Sequence, residues 1–453
     1  MSYSSKEIWE EFKHSKIGIS GIVILVILFL LSIIAFVTIP LDNFKNWNDP
    51  SSWLAYPKSA APSWVNYFQS EKIPEHLSLK PESFSQNLGS VYMHTDLFNV
   101  NYQYDGFPSD FIYQYSVEYT GSPLLQLSIS RPDGKTLDLV SVALPFTNSS
   151  TAYHSMLFST DGVIIKNLGL YKNLYNFSFD NLSSEKIIFS KFASDEILKG
   201  EYKFRAKLYS VSEKPTIMES KLILGGKVYG FMGTDELRRD LAVGLLWGTP
   251  LALFIGITVA VASVFLGLIY GTYAGYKGKL TDESMMRFSD IIYAMPTLPL
   301  LIILAVTIGK SIFLIVGFIV IFSWVGVAKV SRSMALQIKN LQYVEAARLM
   351  GQKERIIIFK HIFPQLLPYA LASTAILVPA AITAEAGLSF LGLGDPSFPT
   401  WGQILHDASL SSAASRGMWW WILPPGIMIA VTGLAFVFVG HAMDVIVNPK
   451  LRR

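Results

Sequence analysis

One stretch of the sequence combines helix-forming, basic and helix-breaking residues between two long apolar runs. It reads YVEAARLMGQKERIIIFKHIFPQLLP and covers residues 343–368. Its first part consists of strong helix formers, and Gly351 is expected to end that helix. Apolar residues then mix with the basic residues Arg355 and Lys360. The pattern predicts a short helix, a bend and a second amphipathic helix along a membrane surface, and on its own it is typical of a simple membrane anchor.

Acidic residues and prolines near apolar runs are the other candidate chemical groups. Asp240, Asp290 and Glu385 lie close to the ends of such runs. Ionisable groups at membrane depth often serve function, although a hydrated or hydrogen-bonded role at the interface is the commoner one. Pro296 and Pro299 can unwind a helical turn and shape a pore, or they can kink a helix for packing. Both interpretations stay open for both sets of residues.

This chain lacks the residues and motifs that most catalytic sites require. Cysteine is absent, which excludes disulfides, thiolate metal sites and cysteine nucleophiles. The histidines lack metal-ligand spacing, and the patterns G-x-x-x-x-G-K-[ST], H-E-x-x-H and G-x-S-x-G do not occur. The net charge of +3, without a long basic run, gives no indication of nucleic-acid binding. We therefore expect neither an enzyme nor a metal or cofactor site in this chain.

Long apolar runs are the elements that must position these residues. Hydrophobic residues make up 51% of the 453-residue chain and charged residues 16%, and about 20 apolar residues suffice to cross a bilayer. Six runs are predicted as membrane spans: 17–39, one within 241–276, 291–309, 311–328, 366–384 and 419–439. The front of 241–276 is expected to form an interfacial or partly buried helix, and the single charge of Lys310 predicts a tight hairpin between the third and fourth spans.

The distribution of basic residues orients these spans. Residues 329–365, which we call the basic loop, contain seven Lys and Arg residues against two Glu residues, and the C-terminal NPKLRR is also basic. Short loops rich in Lys and Arg stay in the cytoplasm. We therefore expect a multi-pass protein of the plasma membrane with both termini in the cytoplasm and residues 41–240 outside.

The region between the first two spans has the patterns of strands. In PLLQLSISRPDGKTLDLVSVAL, apolar and polar residues alternate on both sides of Asp133-Gly134, which predicts a hairpin. GEYKFRAKLYSV and EKIIFSKF are further strand candidates, so a β-sandwich-like module is expected. Three N-x-[ST] tripeptides, at Asn148, Asn176 and Asn181, all fall in this region and suit glycosylation at an outer surface. The module can serve as a spacer or as a platform for a substrate-binding partner.

Ordered motifs in the second half of the chain resemble those of ABC importer permeases. The residues Glu345, Ala346, Ala347 and Gly351, followed by Pro364, resemble the EAA loop of that family. GTDELRRDL (233–241), AEAGLSFLGLGDPSFPTWGQIL (384–405) and NPKLRR (448–453) resemble segments of the second permease subunit in the dipeptide, oligopeptide and nickel branch. The resemblance is close over 233–453 and loose over 1–39.

Three features depart from the pattern of that branch, one of which is Asn448 in place of an acidic residue near the end. Arg238 stands where glycine is usual, and the outer domain is larger than in most of these permeases. The chain is accordingly expected to form an all-α polytopic membrane domain of six helices, similar to type I ABC importers, with an inserted, mainly β extracytoplasmic domain. The expected parts are 1–40 with the first span, 41–232 as the outer domain, and 233–453 as a five-helix core.

The resemblance also implies partners and roles. They are a second homologous permease, two ATP-binding cassette subunits that bind ATP and Mg, an extracytoplasmic substrate-binding protein and the lipid bilayer. The coupling helix would contact the ATPase through Glu345, Ala346, Ala347, Arg348 and Gly351, whose small alanines allow close approach. The pathway candidates are Asp240, Asp290, Pro296, Pro299 and Glu385.

Two questions stay open at the level of the sequence. The transported solute can be a short peptide, an oligosaccharide or nickel, with peptide as the default of the family. The alternative function is a membrane receptor or sensor whose outer β-domain binds a ligand, although no cytoplasmic signalling domain is evident in the sequence.

Overall fold

The computed structural model describes residues 12–175, 183–192, 194–211 and 215–447. The chain forms two compact units. The helical unit comprises the residues up to Asn48 together with those from Val243 onward, and the β unit comprises Asp49–Ala242.

The helical unit begins with one long apolar helix. Helix α1 (Lys16–Thr38) is capped by Ser15, whose hydroxyl accepts a hydrogen bond from the Gly18 N–H. Its 23 residues extend for about 35 Å, enough to cross a bilayer. The short helix α2 (Leu41–Lys45) follows directly after Pro40.

In the described residues of the β unit, nine antiparallel strands follow two 3-10 turns, Pro50–Trp53 and Ser63–Tyr67. The strands are β1 (Leu77–Leu79), β2 (Glu82–Asn87), β3 (Tyr92–Tyr102), β4 (Asp110–Gly121), β5 (Leu124–Ser130), β6 (Thr136–Ala143), β7 (Thr147–Phe158), β8 (Gly200–Ser210) and β9 (Thr216–Gly225). They form one sheet of order β1-β9-β4-β7 and another of order β2-β3-β8-β5-β6.

The two sheets share a single core, as the sandwich-like expectation requires. The ring centroids of Phe111 on β4 and Phe204 on β8 lie 5.9 Å apart, and the ring centroids of Phe98 on β3 and Tyr113 on β4 lie 6.0 Å apart. The predicted hairpin is confirmed, because β5 pairs with β6 around a turn in which Gly134 adopts a φ of 80°. The strand predicted from GEYKFRAKLYSV is confirmed as β8.

Two helices cover part of the β unit, and one of them corrects a prediction. They are α3 (Gly162–Tyr175) and α4 (Ser184–Phe189). The segment EKIIFSKF was predicted as a strand, but most of it belongs to α4. Ser183 caps this helix, and consecutive residues Ile187, Ile188 and Phe189 are all buried, which no strand with one solvent-facing side would allow.

The remaining helices all belong to the helical unit. They are α5 (Leu241–Lys277), α6 (Lys279–Ala294), α7 (Thr297–Ile308), α8 (Ile312–Ile338), α9 (Gln342–Leu349), α10 (Glu354–Phe390), α11 (Trp401–Leu410) and α12 (Trp419–Val447). Of the two expectations for the front of the second span, the structure supports a partly buried helix, because residues 241–250 are buried or half-buried and belong to α5, which runs unbroken for 37 residues through Pro250.

The third predicted span is not one straight helix. Helices α6 and α7 meet at an angle of 78° around Met295 and Pro296. The residue before a proline avoids the helical conformation, and Met295 is indeed extended, with ψ 133°. The 12 residues of α7 span only about 18 Å, too short to cross a bilayer alone. The described residues thus contain five helices able to cross a membrane, or up to six if the bent pair counts as one.

A row of glycines allows α5 and α8 to approach closely. Gly267, Gly271 and Gly275 are four residues apart on α5, so they lie on one face. A Cβ at Gly271 would lie 2.1 Å from the Ala328 carbonyl oxygen of α8. The Ser331 hydroxyl donates to the Gly267 carbonyl oxygen at 2.9 Å, which adds a hydrogen bond between the helices.

Candidate functional site

The basic loop begins inside α8, which extends to Ile338, and its middle forms the short helix α9, which ends just before Gly351 as predicted. The Gln352 N–H donates to the Ala347 carbonyl oxygen at 3.2 Å, and the Gly351 N–H donates to that of Arg348 at 3.0 Å. These two bonds make a Schellman motif, which requires a left-handed residue after the helix. Gly351 supplies it with a φ of 76°, and a Cβ there would meet no atom within 4 Å.

The two faces of α9 differ sharply in burial. Val344 and Ala347 are each only 2% exposed and pack in a cluster with Ile357 and Ile362 of α10. The opposite face is exposed and carries Glu345, Ala346, Arg348, Leu349 and Met350. Four of the predicted contact residues therefore share α9 and Gly351 follows it, but Ala347 faces inward.

Residues after Gly351 form the start of α10 instead of a separate surface helix. Glu354–Ile356 is α-helical, Ile357–Ile362 is π-helical, and Phe363–Phe390 continues as α-helix. In the wider turn, the Phe363 N–H donates to the Ile358 carbonyl oxygen. Pro364, which has no N–H to donate, sits in the first turn of the α-helical part. The bend at Gly351 is thus present, whereas the predicted second amphipathic helix is continuous with the helix of the fifth span.

Side chains tie α9 to the start of α10. The His361 Nε2 atom lies 2.9 Å from the Gln352 Oε1 atom. The Tyr343 hydroxyl donates to the His361 carbonyl oxygen at 3.4 Å. These bonds join both ends of the bend, so α9 and the beginning of α10 are held together by polar contacts and by the buried cluster.

Ion pairs connect the same region to the other helices, and the sequence alone did not predict them. Lys277 at the end of α5 pairs with Glu354 at 2.6 Å. Arg332 on α8 contacts both carboxylate oxygens of Asp282 on α6, at 2.5 Å and 2.6 Å, a bidentate geometry. The partners are 50 or more residues apart, and only the opposite charges near predicted span ends could have suggested them.

The pathway candidates each have a local partner. Asp290 pairs with Lys329 at 2.7 Å. Glu385 is buried in α10, and its Oε1 atom accepts a hydrogen bond from the Ser389 hydroxyl at 2.6 Å. In the β unit, Asp240 caps α5 by accepting from the Ala242 N–H at 2.9 Å.

The two prolines lie at the break between α6 and α7. Pro296 precedes the first residue of α7, and Pro299 lies in the first turn. Both are therefore next to the 78° bend rather than inside a straight span.

The remaining predicted sites fall in different places. Asn148 is exposed on β7, while Asn176, Asn181 and the NPKLRR ending lie outside the described residues. Among the residues that the structure describes, no group of three or more His, Cys, Asp or Glu side chains could hold a metal ion.

Comparison with known proteins identifies the family. Residues 264–453 match the model of the binding-protein-dependent transport system inner membrane component. A dipeptide transport system permease protein of Bacillus subtilis is 38% identical over 224 residues, which cover 49% of this chain and 69% of the relative. Oligopeptide transport system permease proteins of Bacillus subtilis and Haemophilus influenzae are both 37% identical, and 72% and 71% of their lengths are covered. The chain therefore belongs to the family of inner membrane components of binding-protein-dependent transport systems.

Proposed function

We propose that this chain is a membrane permease subunit of an ATP-driven importer of short peptides. The similarity to dipeptide and oligopeptide permeases supports the solute class. The apolar helices support a multi-pass protein, and we count the bent α6–α7 pair as one of six spans. The Lys and Arg residues of the basic loop favour a cytoplasmic location for that loop and for both termini, with the β unit outside.

The observation that carries the coupling role is the two-faced helix α9. One face, with Val344 and Ala347, is fixed to the helical unit. The other presents Leu349, 83% exposed, and Met350, 74% exposed, next to Glu345 and Arg348. Large apolar side chains with charges beside them are typical of a protein-binding surface. We assign this face to contact with a cytoplasmic ATP-binding cassette subunit.

The contacts around α9 offer a route for movement. A displacement of α9 would be transmitted to α10 through the buried cluster and through the hydrogen bonds among Tyr343, Gln352 and His361. The ion pair of Lys277 with Glu354 would transmit it further to α5. Helices that shift as packed bodies can open one side of a pathway and close the other. The bend at Pro296 and the pathway candidates Asp290, Pro299 and Glu385 belong to helices that such a shift would move.

The proposed assembly contains the partners that the family implies. A second permease would complete the pathway, two ATP-binding cassette subunits would bind ATP and Mg, and a substrate-binding protein would deliver the peptide from outside. This chain would contribute the membrane passage and the coupling surface.

The contact is tested by charging the exposed apolar end of α9. We expect Leu349→Asp with Met350→Asp to weaken binding of the ATP-binding cassette subunits at least tenfold, because two apolar contacts of about 1 kcal/mol or more each are lost. Binding is measured with the purified permease in nanodiscs. Leu280→Asp is the matched control, since Leu280 is 82% exposed on α6, and it should leave affinity unchanged. Equal affinity of the double variant and the wild type would contradict the assignment.

A further inference from the structure

A serine, a histidine and an aspartate form a chain of hydrogen bonds on the β unit. Strand β2 pairs with β3 so that Ser85 lies opposite His94 and Ser83 lies opposite Asp96. The Ser85 Oγ atom is 2.8 Å from His94 Nδ1, and His94 Nε2 is 2.9 Å from Asp96 Oδ1. All these side chains lie on one face of the sheet, because they are two residues apart on each strand.

The partners select one tautomer of the neutral imidazole. A carboxylate only accepts hydrogen bonds, so the Nε2 atom of His94 carries the proton and donates it to Asp96. The Nδ1 atom of a neutral imidazole is then an acceptor, and the Ser85 hydroxyl donates to it. The order serine, imidazole, carboxylate is that of a catalytic triad, with the roles of the two ring nitrogens exchanged, and a histidine bonded in this way can remove a proton from a serine.

Asp96 is suited to orient the ring. It is 1% exposed, and the Ser83 hydroxyl donates to the same Oδ1 atom that contacts His94. Burial alone would raise the pKa of the Asp96 carboxyl, but its hydrogen bonds with His94, Ser220 and Ser83 lower that pKa below its usual value. The carboxylate therefore stays charged and can stabilise an imidazolium.

Ser85 is accessible, unlike Asp96. It is exposed on β2, the edge strand of its sheet. A cleft of about 160 Å³ opens beside it and His94, lined also by Asn87, Tyr92, Met93 and Pro215. This volume holds a small acyl group, and its lining combines an amide with apolar surface.

The free edge of β2 provides hydrogen-bond donors beside the serine. The Leu88 N–H donates to the Val91 carbonyl oxygen and so points toward β3. Because N–H directions alternate along a strand, the N–H groups of Ser85 and Asn87 point away from β3, to the edge of the sheet. Backbone N–H groups next to a nucleophile can stabilise an oxyanion.

We propose that Ser85, His94 and Asp96 form a hydrolytic centre for small acyl esters and amides, with Ser85 as nucleophile, His94 as general base and Asp96 as positioning residue. The Oγ atom of Ser85 bonds to the acyl carbon while His94 Nδ1 takes the hydroxyl proton. The carbon–leaving-group bond breaks, and the departing alkoxide or amine takes that proton from His94. Water then attacks the acyl-enzyme, its proton passes through His94 to Ser85, and the acid is released. This activity is independent of the proposed transport function.

The test uses the full chain in nanodiscs, with a fluorescent fluorophosphonate as serine probe and p-nitrophenyl acetate as substrate. We expect labelling of the wild type, its loss in Ser85→Ala, and labelling at least about 100-fold slower in His94→Gln, the usual scale of general-base catalysis. Asp96→Asn should lower kcat for the ester while leaving KM unchanged, because Asp96 does not line the cleft. Ser150→Ala removes an exposed strand serine that bonds to Glu118 at 3.1 Å instead of to a histidine, and it should react like the wild type.

Either of two results would overturn the proposal. If the wild type is not labelled, or if Ser85→Ala is labelled as fast as the wild type, the three residues are only a cross-strand polar cluster. Near-ultraviolet circular dichroism checks the fold of each variant. Ser85 is exposed, so Ser85→Ala should fold normally and decides the question even if His94→Gln does not fold.

Discussion

Arg238 shows how one residue can depart from a family pattern. The branch that this chain resembles usually has glycine at this position, and the backbone explains the preference, since Arg238 adopts a left-handed φ of 67°. The arginine offsets this strain with side-chain contacts. It donates to the Tyr56 carbonyl oxygen at 2.6 Å and forms an ion pair with Asp110.

Two substitutions of Arg238 distinguish the energetic cost of its left-handed backbone from the loss of its side-chain contacts. We expect Arg238→Ala to destabilise the β unit by about 2–4 kcal/mol, because Asp110 loses its partner in a largely buried position. Arg238→Gly loses the same contacts but relieves the left-handed strain, so it should be more stable than Arg238→Ala by about 1 kcal/mol. Hydrogen exchange of the β4 and β9 amides measures the free energy of opening. An equal loss in the two variants would show that the backbone there is not strained.

The coupling residues show what residue types can and cannot predict. The sequence suggested that Ala346 and Ala347 face a partner together, since both are small. In the structure Ala347 is 2% exposed, because it lies three residues after Val344 and therefore on the same buried face. The three-residue spacing between the apolar Val344 and Ala347 was the feature of the sequence that could have predicted the inward direction of Ala347. By contrast, Ser85 and His94 are joined only by the register of two strands, which no local pattern reveals.

At the scale of elements, the glycine row of α5 packs so closely against α8 that no side chain fits at Gly271. Gly271→Ala would place a methyl group 2.1 Å from a carbonyl oxygen of α8. We expect it to destabilise the helical unit by about 1–3 kcal/mol, the usual cost of overpacking, which thermal unfolding in detergent would record as a lower Tm. Gly326→Ala is the matched control, because nothing lies within 4 Å of that Cβ position on α8. A Tm for Gly271→Ala at or above that of the control would refute the close packing of the two helices.

Elements with a local signal were predicted well, and those set by tertiary contacts were not. The turn at Asp133-Gly134 defines its own hairpin, and apolar length defines the long helices. The segment EKIIFSKF was a strand candidate, but its three consecutive apolar residues all enter the core, which suits the short helix α4. The unbroken path of α5 through Pro250 and the 78° bend at Pro296 show that a proline alone does not decide whether a helix continues.

At the scale of the whole molecule, the ion pairs and the basic loop form one connected system in the helical unit. Lys277 with Glu354 links α5 to α10, and Arg332 with Asp282 links α8 to α6. Helix α9 sits on this framework by its buried face. A partner that moves α9 would therefore move several helices together, and the coupling role we propose depends on this connection.

The most direct test of that role is the ATPase activity of the complete assembly with its binding protein. We compare the wild type with Gly351→Pro, which is incompatible with a φ of 76°, and with Glu345→Lys, which reverses a charge on the exposed face. Glu283→Lys, which changes an exposed glutamate of α6, is the control. We expect stimulation by the binding protein to disappear in the two α9 variants, with assembly and basal hydrolysis retained. Stimulation equal to that of the wild type in both variants would show that α9 is only a membrane anchor.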